Sequence, residues 1–325
     1  MTATSSIRFV DAIRERIGSI VIGKVVLTER LLIALLTGGH VLLRGQSGMA
    51  RTLLIHAVAR AIGLQFARVQ FTRDLLPADL VGLELVDQAG GGGGMKAGPI
   101  FTNLLLVDQV GHAAPKVQTA LLEAMLDRQV TIGSAGYLLP APFLVIATQN
   151  PGEQEPAVQL TEAQLDRFLL CHQVEPPDVA QEEEIVRRHL ALGLRIDENG
   201  GAVPKTAFDL LQEPPVATAG ELVEAMKAVQ QVHVSEVFTK RAVELVRRTR
   251  QHRMIEAGAG PRASIALAIA ARARACIEGR DHAIPEDIYA LADDVLLHRV
   301  RLKNDALAGG HTAATVLREI ITDLG

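Results

Sequence analysis

The chain has 325 residues, 48% of them hydrophobic, 22% charged and 3% aromatic, with no Trp. That length supplies the cores of one large or two ordinary domains, and the composition excludes a disordered or collagenous chain. A net charge of −4 with a pI near 6.2 lacks the broad basic field that nucleic acid requires, so no nucleic-acid partner is expected.

Cys171 and Cys276 stand far apart with no CxxC pair, which reads as two buried free thiols without a metal role. The first residues lack a continuous apolar segment, and no stretch approaches the ~18 to 20 apolar residues that span a bilayer. A cytoplasmic chain with no direct membrane insertion is the expectation.

Along the chain, Ile7, Val10, Ile13 and Ile17 recur at helical spacing, and a second helical run covers 28–37. "HVLLRG" is a short apolar run ending in glycine, a buried strand feeding a turn. After Thr52, "LLIHAVARAIG" is helical and stops at Gly63 as a C-cap. Strand-like runs follow at "FARVQF", "NLLLVD", "PFLVIATQN" and "RFLLCHQV", with a helix at "APKVQTALLEAMLDR". Five glycines at 90–94 read as a surface loop.

Strands alternating with helices predict an α/β fold with a mostly parallel sheet covered on both faces. The strands stop near 176, and an acidic helix covers 178–192. The Gly- and Pro-rich stretch 193–218 reads as a linker. Helical segments then recur near 219–231, 239–253, 263–277, 285–298 and 311–323, the last with Val316, Ile320 and Leu324 on one face. The predicted organisation is an α/β domain over 1–192, the linker, and a smaller all-α domain over 219–325.

"GQSGMARTLL" at 45–54 has the form of a phosphate-binding loop. Such loops work because successive backbone N–H groups and a helix N-terminus converge on phosphate, while a lysine reaches the β and γ groups and a hydroxyl holds magnesium. Gly45 and Gly48 let the backbone curl, Ala50 is small and Thr52 carries the hydroxyl, so Gly45, Gln46, Ser47, Gly48, Met49, Ala50, Arg51, Thr52 and Leu53 are the candidate nucleotide contacts. Arg51 keeps the charge where lysine is usual, but a planar fork replaces a compact ammonium. Asp108 ends the apolar run "LLLVD", at a strand edge suited to ordering a magnesium shell. Asn150 ends "LVIATQN", from which an amide would hold water against a γ-phosphate, and Arg167 and Arg262 lie at the edges of predicted elements.

In this order the segments "LLIALLTGGHVLL", "GPIFTNLLLVD", "KVQTALLEAMLDRQVTI", "PFLVIATQNP", "EAQLDRFLL" and "PRAS" to "PEDI" resemble the MoxR-type AAA+ ATPases from about residue 8 to 302. The resemblance implies a P-loop AAA+ fold, a parallel five-stranded sheet flanked by helices, followed by a helical lid. It implies ATP or ADP with Mg2+ as cofactors, Thr52 and Asp108 as magnesium ligands, and Asn150 as the first sensor. Arg167 would be the arginine finger offered to a neighbouring subunit, and Arg262 the second sensor, reaching from the lid. A homo-hexamer or other ring, chaperone-like remodelling and a von Willebrand factor A domain partner come with the family.

The departures lie at the nucleotide. Arg51 replaces the loop lysine (Walker A), and Gln109 follows Asp108 where the family has glutamate (Walker B). A glutamine amide orients water but does not take its proton at neutral pH. Gly111 and His112 stand where the family shows Asn-Arg, and "EPAVQLTEAQ" replaces its usual approach to the finger. Glu123, Glu153 and Glu155 are the carboxylates near enough in sequence to be asked about as replacement bases, and surface solvation is their default role. Three readings therefore stand: a working ATP-driven remodeller, a nucleotide-binding subunit poor in hydrolysis, and a scaffold that binds no nucleotide.

Overall fold

The computed structural model describes residues 3–46, 48, 50–85, 94–150, 160–196 and 199–324. Two helices, α1 (Ala3–Ile20) and α2 (Val25–Thr37), precede the first strand, β1 (Val41–Arg44). Then come α3 (Arg51–Ile62), β2 (Phe66–Gln70), β3 (Leu104–Asp108), α4 (Pro115–Asp127), β4 (Leu144–Gln149) and β5 (Leu170–Gln173). The five strands form one parallel sheet in the order β2-β3-β4-β1-β5, as the alternation of strand and helix predicts.

The apolar strand runs are continuous because both faces of the sheet are covered. Val41, Leu43, Leu104, Leu106, Leu144, Ile146 and Leu170 belong to a core shared with α1, α2 and α3. Their alternate neighbours Leu42, Leu105, Val107, Val145, Ala147 and Cys171 face the opposite core, which α4 covers. Gly63 caps α3 in the left-handed region, at φ +70°. Both cysteines are buried, and neither forms a disulfide.

Beyond β5 lie α5 (Val179–Leu190) and then α6 (Ala219–Gln231), α7 (Glu236–Gln251), α8 (Pro261–Ile277), α9 (Pro285–Leu296) and α10 (Ala313–Thr322). These helices do not build a separate apolar centre. Leu245, Leu267 and Ile288 join the same cluster as α1 and α2. The region read as all-helical also holds a two-stranded piece, Ile255–Ala257 with Arg301–Leu302. The described residues of 193–218 include the antiparallel strands Leu194–Ile196 and Ala202–Pro204 and a 3-10 turn at Ala207–Gln212. The stretch docks on α3, with Val216 and Ala217 N–H groups donating to Ala61 O at 2.9 and 3.0 Å. Of the glycine run, 90–93 lie outside the described residues, and Gly94 opens a strand. No described helix is long and apolar enough to cross a membrane.

Buried polar groups lock the helical region to the sheet. Asp294 on α9 accepts from Arg30 Nε on α2 at 2.5 Å and pairs with His172 Nδ1 on β5 at 2.8 Å. Arg299 Nε donates to Asp166 Oδ1 at 2.7 Å, and its Nη2 donates to the carbonyls of Phe168 and Asp166. On the other face, His40 is buried, with Nε2 donating to Met125 O and Nδ1 accepting from Val145 N–H, each at 3.0 Å.

Burial, with the Arg128 guanidinium adding to it, lowers the His40 pKa from 6.5 to about 4. An unfolded imidazole takes its proton near 6.5, so between that pH and 4 the unfolded state binds a proton that the folded state refuses. Stability is therefore expected to fall as pH falls through this window, by about 3 kcal/mol at its lower end. Urea unfolding at stepped pH checks this: His40→Gln should flatten the acid side of the profile, and an unchanged slope would remove His40 as its source.

Candidate functional site

The C-terminal ends of β1, β3 and β4 meet the N-terminus of α3, the edge at which open α/β sheets bind ligands. The chain leaves β1 at Gly45, whose N–H donates to Gln149 O at 3.3 Å. Gly45 has φ +150°, and a Cβ there would lie 2.8 Å from the Val174 carbonyl oxygen, so only glycine passes. Gly48 follows at φ +85° and Ala50 at φ +55°, directly before α3. Among the described residues, Ala50 and Gln109 are two of the three non-glycine positions with positive φ. Such strain costs of order 1–3 kcal/mol each and gathers at functional sites; here both residues line the same cleft.

The cleft has a volume of about 390 Å³ and brings together Gly48, Ala50, Arg51, Thr52, Leu53, Asp108, Gln109 and Asn150. Eight of the residues singled out by sequence thus converge. Gly45 and Gln46 lie just upstream; Ser47, Met49, Glu153 and Glu155 lie outside the described residues. Glu123 is exposed on α4 and His112 is half-buried, and neither lines the cleft.

Arg51 is buried, its guanidinium donating from Nη1 to Gly45 O at 3.2 Å and from Nη2 to Asn150 Oδ1 at 2.9 Å. Asp108 is paired on both oxygens: Arg68 Nε donates to Oδ2 at 2.6 Å, and the buried Thr148 hydroxyl donates to Oδ1 at 3.2 Å. The same Thr148 oxygen accepts from the Gln109 N–H at 3.0 Å, while Gln109 Oε1 accepts from Gln70 Nε2 at 2.5 Å.

Arg167 and Arg262 do not line this cleft. Arg167 Nη1 donates to Leu122 O near the end of α4 at 2.8 Å, and Arg262, at the start of α8, donates from Nη1 to Asp166 Oδ2 at 3.3 Å.

Sequence reasoning missed Arg68, Gln70, Thr148 and Phe208, which also line the cleft. Arg68 and Gln70 had a signal, the period-two polar positions of "FARVQF", with Gln70 in register with Asp108. Thr148 is the lone hydroxyl of a buried apolar strand, whereas Phe208 arrives from the 193–218 stretch with no local sign. A second cavity of about 150 Å³ was also missed, walled by Ile20, Val21, Leu53, Pro177, Ile185 and Leu210. Gly48, Ala50 and Leu53 line both cavities, so an apolar pocket opens beside the polar cleft.

A sequence profile of the ATPase family associated with various cellular activities (AAA) matches residues 40–170, and one of the AAA lid domain matches 247–320. The protein named chaperone MoxR1 of Mycobacterium tuberculosis is 38% identical over 305 residues, 93% of this chain and 78% of that protein. The chain belongs to the MoxR family of AAA+ ATPases. Protein MoxR of Methylorubrum extorquens is 30% identical over 300 residues, 88% of this chain and 86% of that one. A crystal structure of a Cytophaga hutchinsonii protein superposes with a TM-score of 0.85 at 36% identity, covering 98% of this chain and 96% of the other. The five-stranded α/β sheet with a helical lid is the AAA+ fold that this membership entails.

AAA+ membership implies nucleotide use, and the donor set of this MoxR-family cleft fits a nucleotide: an apolar pocket for a base beside a curled loop, a helix N-terminus and two guanidiniums. The Thr52 hydroxyl and the Asp108 carboxylate, the two groups that would hold a magnesium ion, both line the cleft. Asp108 is the single carboxylate among the described residues lining the cleft, and both its oxygens are already engaged.

Thr148 ties β4 to Asp108 and to the strained backbone of Gln109. Thr148→Val keeps the shape and removes the hydroxyl that donates to the buried Asp108 Oδ1 and accepts from the part-buried Gln109 N–H, with an expected cost of about 1–3 kcal/mol. Urea denaturation measures it; a variant as stable as the parent would show the hydroxyl bridge to be dispensable.

Proposed function

We propose that this MoxR-family protein binds ATP or ADP in the joined cavities and acts as an assembly or chaperone-like remodelling subunit in which hydrolysis is weak. The observation that carries the reading is the junction itself, Gly48, Ala50 and Leu53 lining both the apolar pocket and the polar cleft. Ile20, Val21 and Ile185 would hold the base, and the 45–52 loop with the first N–H groups of α3 would hold the phosphates. A bound nucleoside triphosphate supplies the anhydride that a general base and a cation would open by phosphoryl transfer.

The chain's own groups supply that chemistry poorly. Gln109 accepts a hydrogen bond from Gln70 and has no carboxylate with which to take a proton from water. Asp108, the neighbouring acid, is held by Arg68. Loss of a general base lowers rates by roughly 10²- to 10⁴-fold. Turnover of purified protein is expected near background although nucleotide binds. Gln109→Glu alone should recover only part of the deficit, and adding Arg51→Lys should raise turnover by about a further tenfold or more. A phosphate-release assay run beside equilibrium binding checks this, and brisk hydrolysis by the wild-type chain would favour a fully active remodeller instead.

One observation favours a second reading, a scaffold without nucleotide: the Arg51 guanidinium links Gly45 O to Asn150 Oδ1 within the cleft. If that link never opens, the cleft is a closed joint. Absence of binding at millimolar ATP would select this reading.

A homo-oligomeric ring, hexameric by family resemblance, belongs to the proposal, as do a von Willebrand factor A domain partner and a cytoplasmic location. Supporting the ring, Arg167 does not line its own chain's cleft and is anchored near the end of α4. There it would act on a neighbour's phosphate, and Arg262 would report from the lid. Arg167→Ala should therefore leave nucleotide affinity within about threefold of wild type while reducing nucleotide-dependent growth in particle mass. Light scattering with and without ATP measures it; assembly indifferent to Arg167 would discard the finger assignment.

A further inference from the structure

Phe208 stands apart from the other phenylalanines. Of the eight in the chain, seven are buried or half-buried, and Phe208 is 48% exposed. Leaving so large an apolar ring in water is unfavourable, yet the backbone that carries it is firmly held. At the start of the 3-10 turn Ala207–Gln212, Asp209 Oδ2 accepts from the Thr206 N–H at 2.7 Å and from its hydroxyl at 3.1 Å, and Oδ1 pairs with Arg195 Nη1 at 3.0 Å. The far end of the turn is anchored on α3. Arg60 Nε donates to Leu211 O at 3.0 Å, and the Leu211 side chain is buried in the core shared with α1 and α3.

Side chains three apart eclipse one another in a 3-10 turn. Ala207 and Leu210, so spaced, both line the apolar pocket, whereas Phe208 between them lines the polar cleft. One braced turn therefore walls both cavities. Among the described residues of the cleft, Phe208 is the aromatic side chain in a lining that is otherwise mostly polar. We infer that Phe208 is a further nucleotide-contacting residue, its ring packing against the sugar where the ligand crosses between the two cavities. The inference rests on the nucleotide-binding reading above. With the base in the apolar pocket and the phosphates on the 45–52 loop, the sugar passes over Gly48, Ala50 and Leu53, which line both cavities. The carbon-bound face of a sugar and the flat face of a phenyl ring shield one another from water, and ligand sites bury most of the surface of what they hold. Binding then covers the exposed face of Phe208, and the 193–218 segment becomes part of the nucleotide site.

The test uses the full chain, with affinities for ATP and ADP measured by titration calorimetry. Phe208→Ala is expected to weaken both by about tenfold. Its melting temperature without nucleotide should stay close to that of wild type, because the ring is exposed. The chain contains no tryptophan, so Phe208→Trp places a single fluorescent reporter at the proposed contact. Its emission is expected to shift when ATP saturates the site and to stay unchanged with inorganic tripolyphosphate, which has neither sugar nor base. An alanine variant that binds both nucleotides as tightly as wild type would overturn the inference, as would a tryptophan emission blind to bound ATP. An equal response to tripolyphosphate would overturn it too, since the ring would then report movement of the loop and not contact with the nucleoside. A wild-type chain that binds no nucleotide would overturn the nucleotide reading first and this inference with it.

Discussion

A carboxylate at the end of a buried strand needs compensation, and in this protein that requirement organises the whole cleft. Asp108 closes β3, a strand with every side chain buried. Charges left unpaired in such surroundings are costly, and Arg68 from the adjacent β2 supplies the counter-charge while Thr148 from β4 supplies the second hydrogen bond. Three neighbouring strands are thereby tied at their C-terminal ends through one side chain. The left-handed backbone of Gln109 follows at once, its N–H returned to the same Thr148 oxygen. What would otherwise be an open acidic anchor is part of the sheet's own electrostatic closure.

The helical lid is tied down by similar means. Asp166 shares its carboxylate between Arg299, whose side chain is almost wholly buried, and the exposed Arg262. Because Arg299 also holds the Phe168 and Asp166 carbonyls, the segment that carries Arg167 is fixed by the lid as much as by the sheet. His298 reaches Phe168 O as well, and burial keeps its imidazole neutral. Arg167, proposed above to face a second subunit, therefore lies beside a joint between the sheet and the lid. The backbone on either side of Arg167 is thereby tied to the lid, although Arg167 and Arg262 lie on different elements.

The parts of this architecture that were legible in sequence were those with local causes. Continuous apolar runs mark strands covered on both faces, so β1, β3, β4 and β5 were visible, and Gly63 announced its cap. The loop was readable too, since Gly45 and Gly48 are needed where a Cβ or a negative φ would not fit. Long-range partners were not readable. Nothing near Arg68 in the chain says that it faces Asp108, and nothing in 193–218 says that Val216 and Ala217 dock on α3. The pocket wall formed by Ile20 and Val21 had no local sign, because the pocket is completed by Ile185 and Leu210, which are remote in sequence. Arg167 and Arg262 were singled out through the family resemblance, yet their intrachain contacts with Leu122 and Asp166 arise only from the fold.

The exchange of lysine for arginine in the loop follows from the same economy of charge. An ammonium gathers its three donors on one atom, whereas the wider Arg51 fork spans from Gly45 O to Asn150 Oδ1, joining the strained loop to the end of β4. That span braces the loop while no phosphate competes for the donors. On the reading proposed here, an arriving anion must draw the fork away from Asn150, so binding and the release of that amide are linked. On that same reading, a cleft whose one acid among the described lining residues is already paired with Arg68, and whose loop and amide respond to one ligand, would have parts of a switch, and a switch does not require turnover to be rapid.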